Sequence, residues 1–291
     1  MINRIMRFII DELKPADFNM AADLYLLDEC EKNGIVTLRF YSWMRSGITL
    51  GYTQNASDEL DIEAVKQAGV DWIRRPTGGR AVLHEGDVTY SCIFPKSISE
   101  MGSGITQSYR LISKCLIDGL DRASIKCDAH GSSAELKGLK REVKLPCFLA
   151  PNRDEIMVSG KKLVGSAQKR SAAGVLQHGS IPITAACFAL PQYLRISESE
   201  KEKQTKLLRE KSSFIHEWNP NITFAAIVQY LMEGFSSALP FKFELRPWDD
   251  SEEAAINRLA HGEEFKKRWK SNRPQTVRAD GDPPVIGETV R

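Results

Sequence analysis

Between Pro146 and Ile183 the chain reads PCFLAPNRDEIMVSGKKLVGSAQKRSAAGVLQHGSIPI, and this stretch restricts the fold more than any other. Glu155-Ile156-Met157-Val158 reads as a short strand, Ser159-Gly160 as a turn signal, and Lys162-Leu163-Val164 as the returning strand. Two strands joined by so short a turn are antiparallel neighbours, a β-hairpin. Gly174 to Ile183 reads as one more strand, with His178 in its middle. Gly165-Ser166-Ala167 leaves room for the backbone to approach another group closely.

Two side chains of this stretch carry chemistry. Cys147 stands between Pro146 and Phe148, and Lys162 follows fifteen positions later, on the hairpin. A free thiol has a pKa of about 8.5, and a neighbouring ammonium lowers it to roughly 3.5–7.5, raising the thiolate fraction. The same ammonium can pass a proton or steady a developing negative charge. The bland reading stands beside this one: cysteine is among the residues most often buried for packing alone, and a lysine after a hairpin turn is usually solvated.

The balance of 40 basic and 38 acidic residues, net +2, gives no reason to expect nucleic acid as a partner. The apolar patch Met6 to Ile10 is too short for a secretory core and lacks a small-residue cleavage site. No run of about 18 apolar residues is present, so no membrane span is expected. The six cysteines (Cys30, Cys92, Cys115, Cys127, Cys147, Cys187) are scattered without a Cys-x-x-Cys pair. They read as reduced thiols of a cytoplasmic protein, with no zinc spacing and no metal expected.

From the N-terminus, residues 18–33 form an amphipathic helix with Met20, Leu24, Leu27 and Cys30 on one stripe, closed by Asn33-Gly34. Val36 to Trp43 is a strand, and Thr49-Leu50-Gly51-Tyr52 a second apolar run broken by glycine. Residues 58–68 are a helix closed by Gly69, and Val70 to Arg74 is a strand. Val88 to Pro95 alternates and reads as a strand of the same sheet, followed by a helix over 105–124 whose Tyr109, Ile112, Leu116 and Leu120 form a core stripe. The stretch 129–145 reads as an exposed loop. Helices follow over 198–213, 224–238 and 252–270, the last ending in KKRWK.

Between the strands at 70–74 and 88–95 lies RRPTGGRAVLHEGD, Arg74 to Asp87. Pro76, Gly78 and Gly79 free the backbone from strand geometry, so the loop can turn amide N–H groups toward an anion or a carbonyl oxygen. Arg74, Arg75 and Arg80 supply positive charge and His84 a neutral donor or acceptor. The Gly-Lys-Ser/Thr ending of a Walker A loop and the Gly-x-Gly-x-x-Gly of a dinucleotide fingerprint are both absent. A plain glycine-containing hairpin with solvated arginines is the other reading of these residues.

Taken together, RRPTGGRAVLH, then PCF-x-x-P-x-x-x-E-I-x-x-x-GKKLVGSAQ-x-R and LQHGSI, resemble the lipoate–protein ligase A/B superfamily, closest to its single-chain octanoyltransferase branch. The resemblance covers roughly residues 18 to 190. It implies an α+β fold, a mixed β-sheet covered by helices like the biotinyl/lipoyl ligase catalytic domain, with a helical C-terminal region. It implies transfer of octanoyl from acyl carrier protein to a cysteine, then from that thioester to a lysine of a lipoyl-accepting protein such as glycine-cleavage H protein. No cofactor, nucleic-acid partner or membrane partner is expected.

Carried over, the nucleophile falls on Cys147 and the catalytic lysine on Lys162. The acyl pocket falls on Arg75, Thr77, Gly78, Gly79 and His84, on Gly165, Ser166 and Ala167, and on Gln177, His178 and Gly179. Leu83, Val164, Ala167, Leu176 and Ile181 are candidates for the wall of an acyl tunnel, with ordinary core packing as their other reading.

The alternative within the superfamily is an ATP-dependent lipoate–protein ligase. Ligases commonly have a third glycine where this chain has Arg80 and need no cysteine at 147, and both points favour transfer. The expected organisation is a catalytic domain over about 1–250, a C-terminal helix over 251–270 and a disordered tail over 271–291.

Overall fold

The computed structural model describes residues 4–130 and 155–272. Strand β1 (Ile5–Lys14) runs parallel to β2 (Val36–Trp43), and β2 is antiparallel to β6 (Asp87–Phe94). Helix α1 (Ala16–Asn33) connects β1 to β2 and ends where Gly34 takes φ 70°, its N–H donating to the Cys30 carbonyl. That left-handed cap costs glycine no Cβ clash. The Met6–Ile10 patch is thus the middle of an interior strand. Its outer neighbour is the short parallel strand β11 (Lys242–Leu245), which hydropathy did not single out.

The hairpin is present as read. Strand β8 (Glu155–Val158) returns as β9 (Lys161–Ser171) through Ser159 at φ 45° and Gly160 at φ 76°. Positive φ at both turn residues matches the right-handed twist of the flanking strands. Strand β9 is longer than expected and runs straight through Gly165-Ser166-Ala167 to pair with β10 (Gly174–Pro182). With β7 (Asp128–His130) the large mixed sheet has the order β11-β1-β2-β6-β10-β9-β8-β7.

A second sheet of three strands, β4-β3-β5, holds β3 (Gly47–Leu50), β4 (Asp71–Arg74) and β5 (Val82–His84). The strand at 71–74 therefore does not share a sheet with Asp87–Phe94. The helix expected over 58–68 is two, α2 (Ala56–Glu59) and α3 (Ile62–Gln67). Asp61 caps the second by accepting from the Ala64 N–H, which restarts the helix.

One face of the large sheet is covered by α4 (Ile105–Arg122) and α6 (Phe224–Ala238), which bury Ile112, Leu116, Leu120, Ile227, Leu231 and Phe235 with Tyr90, Cys92 and Phe94 of β6. On the other face, α1 is buried nearly all round, Asn19 and Asp23 included, rather than along one stripe. It lies between the large sheet, β4 and α7 (Asp250–His261), so it has little solvent side to spend on polar residues. The helix expected over 252–270 breaks at Gly262 into α7 and α8 (Glu263–Trp269), and Ile256, Phe265 and Trp269 pack with Phe18, Tyr41 and Trp43. Helix α5 (Glu198–Lys211) is charge-rich but buries Lys201, Gln204 and Leu208. Among the described residues no helix is long and apolar enough to cross a membrane.

Helices α4 and α6 approach closely because glycines face each other. A Cβ on Gly234 would stand 2.3 Å from the Cys115 carbonyl oxygen and 2.5 Å from the Gly119 nitrogen. Both neighbours are backbone and cannot yield by a rotamer change. Gly234→Ala is expected to lower stability by about 1–3 kcal/mol through overpacking, read from the urea midpoint. Gly78→Ala, with nothing within 4 Å of its added Cβ, is expected to stay within about 1 kcal/mol of the parent.

Candidate acyl-transfer site

The inner face of the large sheet and the small sheet enclose a pocket with about 380 Å³ of empty space, its mouth included. The large sheet contributes Gly165, Ser166 and Ala167 of β9, His178, Gly179 and Ser180 of β10, Thr89 of β6, and Tyr41 and Trp43 of β2. The small sheet and its loop contribute Thr49, Arg75, Val82 and His84, and α1 contributes Met20. The pocket thus crosses four adjacent strands, three spacings or about 14 Å.

Most of the wall residues are polar, yet their hydrogens are spent inside the wall. Trp43 stacks on His84 with ring centroids 4.2 Å apart and donates Nε1–H to Thr89 Oγ1 at 2.9 Å. His84 Nδ1 bonds Asp87 Oδ2 at 2.9 Å, and Thr49 Oγ1 bonds His84 Nε2 at 2.9 Å. Ser180 Oγ and Thr89 Oγ1 also donate to Asp87 Oδ2, at 2.6 and 3.1 Å. Arg75 donates to the carbonyls of Thr49, Gly78 and Arg80. What faces the cavity is carbon, which suits an apolar chain.

Behind His178 lies a buried ionic cluster that sequence reasoning missed. His178 Nδ1 bonds Asp23 Oδ2 at 3.1 Å. Asp23 accepts from Arg39 Nη1 at 3.1 Å and from the Tyr41 hydroxyl at 3.2 Å. Arg39 also donates Nε–H to Asp11 at 2.6 Å and Nη2–H to the Asn19 side chain at 2.7 Å. Burial works against the Asp23 carboxylate. The His178 hydrogen bond and the Arg39 charge outweigh it and hold the carboxyl below its ordinary value. Burial pushes the His178 imidazolium down, opposed by Asp23, so the ring is held toward neutrality. A signal existed: Asp23 interrupts an otherwise apolar helix segment, and Arg39 an apolar strand.

The expected site residues divide accordingly. Arg75, His84, Gly165, Ser166, Ala167, His178 and Gly179 meet around the one pocket. Thr77 stands just behind it, its Oγ1 2.6 Å from His178 Nε2. Gly78 and Gly79 are exposed and outside the lining, and serve the loop through backbone contacts. Gln177 points to the opposite face of β10, where its amide donates to the Tyr90 hydroxyl at 3.1 Å. Alternation along a strand puts neighbours of His178 on the other side. Of the proposed tunnel wall only Ala167 lines the pocket. Leu83, Val164, Leu176 and Ile181 pack in the core clusters instead, and Met20, Trp43 and Val82 take their place.

Lys162 lies on β9, three residues before Gly165, or about 10 Å along the strand. Its ammonium is buried and donates to Glu155 Oε1 at 2.7 Å. Its carbonyl accepts from the Ser213 N–H. Cys147 lies outside the described residues, as do 131–145 of the expected loop and 273–291 of the expected tail. The other five cysteines are inert by environment. Burial pushes the thiols of Cys30, Cys115 and Cys127 up to about 12, and those of Cys92 and Cys187 up as well.

The Asp23 cluster makes stability pH-dependent. His178 favours the neutral ring in the fold, so its contribution is complete above the unfolded value of about 6.5 and is lost as pH falls toward the lower folded one. Asp23 contributes above about 3.9 and loses its contribution as pH falls through its depressed folded value. Stability in urea is therefore expected to drop below pH 6.5 and again below pH 4. Asp23→Ala is expected to cost about 3–5 kcal/mol at pH 7.5, because it strips Arg39 of a buried partner.

Comparison with known proteins gives the family and the fold. Residues 15–236 match the lipoyl protein ligase A/B catalytic domain. Octanoyltransferase LipM of Geobacillus kaustophilus is 33% identical over 282 residues, 94% of this chain and 100% of that protein. Octanoyltransferase LipM of Carboxydothermus hydrogenoformans is 37% identical over 228 residues, 77% and 83% of the two chains. A bi-partite lipoate protein ligase from Thermoplasma acidophilum, solved in a study of that enzyme and its E2 lipoyl domain, superposes with a TM-score of 0.73 at 20% identity, covering 91% of this chain and 96% of that one. A lipoate-protein ligase A bound with ATP gives 0.70 at 20% identity, covering 89% and 94%. The two structures share the fold, a large mixed sheet flanked by helices. The family match and the relatives, which extend over most of the chain, identify it: the chain belongs to the lipoyl protein ligase A/B catalytic-domain family.

Proposed function

We propose that the protein is an octanoyltransferase of lipoate biosynthesis, moving octanoyl from acyl carrier protein to a lysine of a lipoyl domain through a thioester on Cys147. The observation that carries this reading is on one strand: β9 bears both the buried amine of Lys162 and a wall of the apolar-faced pocket. Relatives named octanoyltransferase at about a third identity over most of the chain support it. A ligase is the less favoured reading.

The first step is attack of the Cys147 thiolate on the donor thioester carbonyl. A carbon–sulfur bond forms, the old one breaks, and the carrier leaves as its thiol after taking a proton. In the second step the acceptor lysine amine attacks the Cys147 thioester, an amide forms, and the cysteine thiol is regenerated. Neither step consumes ATP, because the acyl group is already activated. The Lys162 ammonium balances the thiolate and the tetrahedral oxyanions, and backbone N–H groups near Gly165-Ser166 are candidate further donors. At roughly 0.8 kcal/mol per buried methylene, the chain supplies several kcal/mol of binding. Glycine-cleavage H protein is the acceptor we favour among lipoyl domains.

Incubation with octanoyl-carrier protein alone is expected to raise the intact mass by one octanoyl group, removable by neutral hydroxylamine. Cys147→Ser is expected to lose that adduct, whereas serine at any of the other five cysteines leaves it. Because Lys162 is buried against Glu155, Lys162→Ala also leaves a carboxylate short of a partner. Lys162→Gln, which retains a donor but loses the charge, is therefore the cleaner variant and is expected to cost roughly 10²–10³-fold in rate. Lys161, half-exposed and 3.5 Å from Glu217, is the control and is expected to tolerate alanine. Cys147→Ser that remains fully active with free octanoate, ATP and magnesium would overturn the proposal in favour of a ligase.

A further inference from the structure

Two histidines meet the pocket in the same way. Asp23, His178 and Thr77 form one chain, with Oδ2 to Nδ1 at 3.1 Å and Nε2 to Oγ1 at 2.6 Å. Asp87, His84 and Thr49 form the other, with 2.9 Å at both links. All six side chains are buried.

A carboxylate only accepts, so each Nδ1 carries a hydrogen, and the His178 ring, held toward neutrality by burial, is left with a lone pair on Nε2. The Thr77 hydroxyl must then donate to His178. The aspartate thereby sets, through the ring, the direction of a hydroxyl on the far side.

The first chain crosses between layers. Asp23 stands on α1, His178 on the large sheet, and Thr77 in the loop that follows β4. Within the loop Arg75 Nη2 donates to the Gly78 and Arg80 carbonyls, each at 2.8 Å, and the small-sheet side holds it through the Arg75 N–H to the Leu50 carbonyl at 2.9 Å, Arg75 Nη1 to the Thr49 carbonyl at 3.1 Å and the Tyr52 N–H to the Thr77 carbonyl at 2.9 Å. His178 is the one of these anchors that comes from the large sheet, and it is also a wall of the pocket.

We propose that Asp23 and His178 are positioning residues which act through Thr77 to hold the glycine loop at a set height over the acyl pocket. The claim rests on the pocket being the acyl site, as argued above. The loop is then clamped before the acyl chain arrives, and none of the chain's binding energy is spent on ordering it. Asp87, His84 and Thr49 repeat the carboxylate–imidazole–hydroxyl sequence, and the Thr49 oxygen also accepts from Arg75 at 3.2 Å.

The test combines a spectrum with a pair of variants. In the full chain carrying ¹⁵N-labelled imidazoles, His178 is expected at pH 7.5 to show a protonated Nδ1 and an unprotonated Nε2. Thr77→Val removes the hydroxyl at constant shape and is expected to raise KM for an octanoyl thioester donor about tenfold, with kcat within about twofold. Thr77→Ser, which restores the hydroxyl, is expected to return KM to within about threefold of the parent.

A proton on Nε2, or an imidazolium at that pH, overturns the proposal. So does Thr77→Val with the parental KM, or Thr77→Ser as impaired as Thr77→Val. If the parent takes no octanoyl from any thioester donor, the functional reading fails on its own account. The histidine spectrum, which needs no substrate, then still decides the hydrogen-bond chain.

Discussion

The buried guanidinium of Arg39 is the interaction on which the arrangement of the site depends. It sits on β2 and binds Asp11 of β1, Asn19 and Asp23 of α1, and stacks over Tyr41 at 3.9 Å. Trp248, from the segment before α7, completes the cluster by donating to both oxygens of Asp11. One cation thus ties two parallel strands, the helix between them and the C-terminal region to a single point. Desolvating such a charge is costly, and only a full set of acceptors makes it tolerable. Asp11, Asp23 and Asn19 supply that set, and because Asp23 also faces His178, a structural requirement of the fold becomes the back wall of the site.

The pocket shows how polar residues build an apolar cavity. Threonine, serine, histidine and arginine dominate its lining, a composition suited at first sight to a sugar or an anion. Their donors are consumed by Asp87, Asp23 and loop carbonyls, so the cavity sees methyl groups, ring faces and glycine backbone. A wall of leucines would be as apolar but would rest on packing alone. A hydrogen-bonded wall has its rotamers fixed by direction as well as by volume.

The parts of this fold legible in sequence are those with a local cause. The hairpin at 155–164, the cap at Gly34 and the stripe of α4 each follow from turn chemistry or a 3.6-residue period. The parts that were not legible have distant causes. Strand β11 has four residues and gains its place only by pairing with β1, more than 230 positions away. Helix α1 lacks a clean polar face because α7 covers the side that would otherwise meet water. At the site, the family resemblance pointed to Arg75, His84, Gly165 to Ala167, His178 and Gly179, which do meet around one pocket. Gln177 and four of the five proposed tunnel residues fall elsewhere, because which side of a strand faces the pocket is set by partners that spacing does not reveal. Asp23 and Arg39 could have been found by asking why a charge interrupts an apolar run.

The loop over the pocket rests on an absence. A Cβ on Gly51 would lie 2.0 Å from the Gly79 carbonyl oxygen, so the loop settles into the space that a side chain at 51 would fill. The smallest possible increment, one methyl group, is already too large there, and the obstacle is backbone, which has no rotamer to change. Any residue larger than glycine at 51, just after β3, therefore has to push the loop that carries Thr77 away from the small sheet. A substitution at 51 is therefore expected to be felt at Thr77, two residues before Gly79, and through its hydroxyl at His178.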